Sequence, residues 1–109
     1  MTRTIAEADW KVLRRVHPFA LERFCERVLT EIEHVTHISS QSAHQRYLDI
    51  FKIIEQRDRQ MASTFNDPRR SNALTMLAMM RSEGLLMADE FSSLSQETRD
   101  AIELLLGAE

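Results

Sequence analysis

A chain of 109 residues has enough length for one domain and too little to give two domains a core each, so 1–109 reads as a single unit. It is 43% hydrophobic and 28% charged with a net charge of −3, an ordinary globular balance that disfavours a generally cationic nucleic-acid binder. A single cysteine excludes an internal disulfide framework, no run of eighteen apolar residues occurs, and no apolar segment follows Arg3 as a signal peptide would require. These features point to a cytoplasmic protein without a membrane partner.

Glycine decides the fold class. The chain has two, Gly84 and Gly107, so its first eighty-three residues lack the residue that tight hairpin turns favour. Helical periodicity takes the place of alternation throughout. Thr4 and Glu7 fit a capping box opening a first helix over 4–16, which buries Ile5, Val12, Leu13 and Val16 with Trp10 at its edge. Pro18 biases the residue before it away from helical dihedrals and suits a first helical turn, so a second helix is placed from 18. One kinked helix is the alternative. The second stripe is Leu21, Cys25, Val28, Ile32 and Val35, and it ends at Ser39, Ser40 and Ser42.

Ser42 and Gln45 fit the next capping box, and a third helix then aligns Tyr47, Phe51, Ile54, Met61 and Phe65. Asp67 is placed as the cap of a fourth helix over 68–83, with Pro68 at its first position and Gly84 as its left-handed end. A short turn over 89–94 and a last helix, capped by Ser95 and stopped by Gly107, complete the chain. Short connections make successive helices antiparallel. The expected fold is all-α, an up-down bundle of four main helices plus a short C-terminal one, or a bundle shared by two chains.

Several residues are candidates for function. The fourth helix is apolar nearly all round, with Met76 and Met80 on its main arc and Met79 opposite, as for a central core helix or a subunit interface. Asp58 falls in the middle of the third helix's apolar stripe, where a buried carboxylate would need a partner. Residues 1–70 carry twelve basic and ten acidic side chains, and residues 71–109 carry two and seven. Arg57, Arg59, Arg69 and Arg70 bracket one turn and could form a corner for an anionic partner.

Catalytic and metal signals are weaker. Glu31 and His34 have the spacing of one di-iron ligand pair, but no second pair exists, and His34 and His37 point away from the apolar stripe. No cofactor or metal is expected. Cys25 lies on a buried stripe as a small hydrophobe. Arg27, six residues and His34 resemble the Arg-x(4–6)-His spacing of the HEPN-type helical ribonucleases, which would imply an RNase-like helical enzyme. Val28 stands where that family carries a polar residue, and twelve arginines with four histidines supply such a spacing by chance. The sequence therefore favours a non-enzymatic helical protein–protein interaction module, regulatory or scaffolding, with a homodimer as one form of that interaction. A nucleic-acid or phosphate-binding accessory protein comes second, and a metal-dependent or RNase-like enzyme third.

Overall fold

The computed structural model describes residues 5–107. They form five helices and no strand: α1 (Glu7–Thr36), α2 (Ala43–Phe65), α3 (Ala73–Ser82), α4 (Ala88–Ser92) and α5 (Gln96–Leu105). The first two expected helices are a single helix of 30 residues that passes through Pro18. Proline there forfeits one backbone hydrogen bond and costs about 3 kcal/mol. Continuity of the buried stripe offsets that cost: Val12, Leu13, Val16, Ala20 and Phe24 are all buried on one face, while Pro18 itself is exposed. Thr4, placed in the expected capping box, lies outside the described residues, and the described helix is preceded by Ala6.

α1 and α2 form an antiparallel hairpin. Its register is shown by two cross-links: His17 Nε2–H donates to the Phe65 carbonyl at 2.9 Å, and Arg57 pairs with Glu31 further out. The connection is closed by Ser42, whose hydroxyl accepts from Gln45 N–H, and by Arg46, which donates to the Thr36 carbonyl at the end of α1. The molecule measures 52 × 28 × 27 Å, and the hairpin accounts for its elongation.

The core occupies one end. It is built from the first half of α1, Phe65 at the end of α2, and α3–α5, with Leu13, Leu77, Met80, Leu85 and Ile102 fully enclosed. α3 starts at Ala73 rather than Pro68, and Asp67, expected as its cap, has a left-handed φ of 54° instead of the extended conformation of an N-cap. Asn72 holds the intervening loop, accepting from Arg69 N–H and donating to the Asp67 carbonyl. Gly84, at φ 68°, ends α3 with Leu85 N–H on the Met80 carbonyl at 2.8 Å, and the buried Leu85 covers the end. Ser95 caps α5 through Thr98 N–H, and Gly107 follows at φ 74°.

Candidate functional site

The side of α2 that meets α1 is not its most regular apolar stripe. Arg46, Ile50, Ile53, Arg57 and Gln60 are half-buried on the α1-facing side, while Tyr47, Phe51 and Ile54 are 66%, 52% and 48% exposed. The two arcs are about 100° apart round the helix. α2 is therefore apolar over an arc wider than α1 alone can cover, and the regular stripe is turned toward solvent over Tyr47–Ile54 before Phe65 enters the core.

α1 presents a matching line. Leu29 is 64% exposed, and Cys25 and Ile32 are half-buried. Together with Val28, Ile54 and Met61 they line an open groove of about 390 Å³ along the hairpin. Tyr47 and Phe51 extend the same α2 line toward the tip, since 47, 51, 54, 58 and 61 recur at spacings of four and three. Cys25, expected on a buried stripe, is half-buried: it packs against the core and also lines this groove.

The opposite side of the hairpin is polar and occupied. Arg57 forks onto Glu31 through Nε and Nη2 at 2.9 and 3.1 Å and also donates to Gln60. Gln60 and the buried Thr64 in turn donate to the two carboxylate oxygens of Glu83. Arg27 donates to the Glu83 and Gly84 carbonyls, and Arg23 to the Leu85 carbonyl, so α1 satisfies the carbonyls of the turn that follows α3. Arg23 also grips Glu90 with both nitrogens at 2.7 and 2.9 Å. That fork lowers the Glu90 carboxyl below the usual range and raises the guanidinium. The Arg57 fork lowers Glu31 likewise.

The remaining sequence candidates are distributed rather than gathered. Asp58 is exposed among the residues that line the apolar groove, so the requirement for a buried partner does not arise. Arg59 is exposed on the outer flank of α2, Arg69 pairs with Asp67, and Arg70 pairs with Glu7 while lying 5.8 Å from the Trp10 ring centre. Three of the four arginines thus have carboxylate partners, and Arg57 faces the hairpin interior. Met76 and Met80 are buried in the chain's own core, and Met79 is half-buried. Arg27 is committed to carbonyls of the turn after α3, and His34 and His37 are exposed, with His37 Nδ1–H donating to the Glu33 carbonyl. No group of three or more His, Cys, Asp or Glu suited to a metal ion occurs among the described residues.

Sequence reasoning missed Asp9. It is 1% exposed, and its carboxylate accepts from Ser95 N–H at 2.8 Å, Ser95 Oγ–H at 2.7 Å and Thr98 Oγ1–H at 2.6 Å. Burial pushes this carboxyl upward, but the hydrogen bonds from Thr98 and Ser95 outweigh it and hold the group below its ordinary value. The signal was present: 5, 9, 12 and 16 share one helical face, and Asp9 is the polar member among Ile5, Val12 and Val16. No helix among the described residues is long and apolar enough to cross a membrane. No protein-family model matches the chain, and neither does any curated protein or solved structure.

Proposed function

We propose that this chain is a non-enzymatic helical protein–protein interaction module, regulatory or scaffolding in role, and that it binds helices of a protein partner along the apolar side of the α1–α2 hairpin. One observation carries the reading: large apolar side chains from two helices lie exposed on one side, in register, while the charged groups of the other side bond to one another round a cleft of about 280 Å³. Isolated exposed hydrophobics are normal, but a continuous patch rimmed by polar residues marks an interaction site. The spacing of four and three along α2 is the pattern by which helices dock into grooves.

The arginines support this reading over a nucleic-acid one, because Arg23, Arg27 and Arg57 are spent on internal carbonyls and carboxylates. A photo-crosslinking amino acid at Phe51 in the native cell is expected to yield protein adducts, whereas one at Arg14, exposed on the globular end, yields none. Absence of adducts from Phe51, or equal yields from both positions, would overturn the reading.

A further inference from the structure

We infer that the segment this side takes is a cationic amphipathic helix of another protein, its apolar stripe in the groove and its Lys and Arg side chains against the groove's carboxylates. The inference rests on the interaction-module reading and names the chemistry of the partner. Shape sets the size of that helix. Leu29, Tyr47, Phe51 and Ile54 are 48–66% exposed, and with the half-buried Cys25, Ile32 and Met61 they show on the order of 600 Å² of apolar surface. Doubled across an interface this is about 1,200 Å², the low end of specific complexes and the scale of one helix laid in a groove. From Tyr47 to Met61 the line runs about 21 Å, or about four turns of a docked helix.

Charge sets its sign. On α1, Glu22, Glu26 and Glu33 stand about 50–95° round the helix from the middle of Cys25, Leu29 and Ile32, and edge the groove over about three turns. On α2, Glu55 stands about 80° from the Tyr47–Met61 line, and Asp58 lies on that line. All five carboxylates are exposed, and none forms an ion pair among the described residues. The cations of the hairpin are turned elsewhere or already used. Lys52 and Arg59 lie about 120–140° round α2 from the line, on its outer back. Arg57 forks onto Glu31, Arg46 donates to the Thr36 carbonyl, and Arg27 reaches the turn after α3. The groove thus has an apolar floor with carboxylates at both edges and one within it. A second copy seated by the same face would set five carboxylates of each chain against five of the other, and like charges so placed oppose association. A helix with Lys or Arg flanking its apolar stripe places a cation beside them instead, and the same complementarity speeds its capture.

Fluorescence anisotropy of a labelled peptide titrated with the full chain tests this. The probe is a peptide of about fourteen residues, leucine and lysine in amphipathic helical order, and its counterpart carries glutamate in place of lysine. Wild type is expected to bind the lysine peptide at least ten times more tightly than the glutamate one. Glu22→Gln with Glu26→Gln and Glu33→Gln should weaken the lysine peptide at least tenfold, and so should Leu29→Ser with Phe51→Ser, while circular dichroism stays unchanged. Asp89→Asn with Glu97→Gln and Asp100→Asn, the same loss of charge from exposed positions on the globular end, should change binding less than twofold. Equal binding of the two peptides, or no binding of the lysine peptide, would overturn the inference. So would equal weakening by the two charge sets, or indifference to the serine pair, since either shows attraction without the groove. A wild type that sediments as a dimer and is dissociated by the serine pair would put a second copy on this side and overturn it equally. If the lysine peptide fails to bind while the crosslinker at Phe51 still captures a protein, only this inference fails. If Phe51 captures nothing, the module reading fails with it.

Discussion

The globular end and the hairpin arm are made from the same kinds of helix, yet they satisfy their apolar faces in opposite ways. At the globular end the first half of α1 is covered by α3, α4 and α5, and Leu13, Leu77, Met80 and Ile102 are sealed from solvent. Beyond Phe24 on α1, and before Met61 on α2, Arg27 and Gln60 still reach Glu83 and Gly84 on the polar side, but the apolar sides of the two helices have only each other. Two helices can bury one stripe apiece, and α2 carries a second. The two regions treat hydrophobic residues differently: one encloses them and holds the chain together, and the other leaves them in contact with solvent.

Truncation at matched positions is the strongest way to break that contrast. Leu77→Ala removes fully buried methyl groups from the core and should cost about 2–5 kcal/mol in urea unfolding. Phe51→Ala removes a larger side chain that is half in water, and at concentrations where the chain is monomeric it should cost about 1 kcal/mol or less. Comparable losses at the two sites would mean that the arm is packed as tightly as the core.

Asp9 sharpens the same contrast, because it fastens the start of α1 to the start of α5 from within the globular end. Its three accepted hydrogen bonds involve an ionised group at a helix N-terminus, so Asp9→Ala should cost about 2–4 kcal/mol. The sign of its pH dependence follows from its lowered carboxyl. A depressed folded-state value contributes stability in full above the unfolded-state value near 3.8, and that contribution is lost as pH falls through the lower folded-state value. Acid unfolding followed by tryptophan fluorescence should therefore be shallower below about pH 4 in Asp9→Asn than in wild type. Glu31 and Glu90, lowered for the same kind of reason, preserve part of the slope in both. An identical acid limb in the two proteins would show that Asp9 does not link folding to protonation.

Much of this was legible in the residues, and the divide falls between local and tertiary signals. Ser42, Gly84, Ser95 and Gly107 act where their own neighbours dictate, as caps and left-handed ends, and each does so in the structure. Pro18 was misleading because its local preference is outweighed by a stripe that continues on both sides of it. The facing side of α2 was misleading for a different reason. Ile50 and Ile53 lie beside Tyr47, Phe51 and Ile54 on one wide arc, and which part meets α1 depends on α1 itself, through Arg57 and Glu31. The corner of Arg57, Arg59, Arg69 and Arg70 follows from closeness in sequence, and in the structure three of the four meet carboxylates, on Glu31, Asp67 and Glu7. Two of those pairings, Arg57 with Glu31 and Arg70 with Glu7, depend on which helix lies nearby. The rule that a carboxylate within an apolar stripe needs partners was sound, but it was applied to Asp58 and belonged to Asp9.

Asp58 remains informative because it interrupts the exposed line of α2 between Ile54 and Met61. In the monomer it faces water, so Asp58→Leu should change unfolding by no more than about 0.5 kcal/mol. The same substitution makes the apolar line continuous. If a cationic helix docks there, it also removes the carboxylate at the middle of the line, and the preference for the lysine peptide over its glutamate counterpart should narrow several-fold. The charge would then select the partner, in the way a single polar residue governs pairing in a coiled coil at some cost in stability. Urea melts together with anisotropy of the two peptides separate the two effects. A narrower preference with unchanged stability is the expected result. A stability gain of several kcal/mol in the monomer would place Asp58 inside a packed core and erase the distinction between arm and globular end.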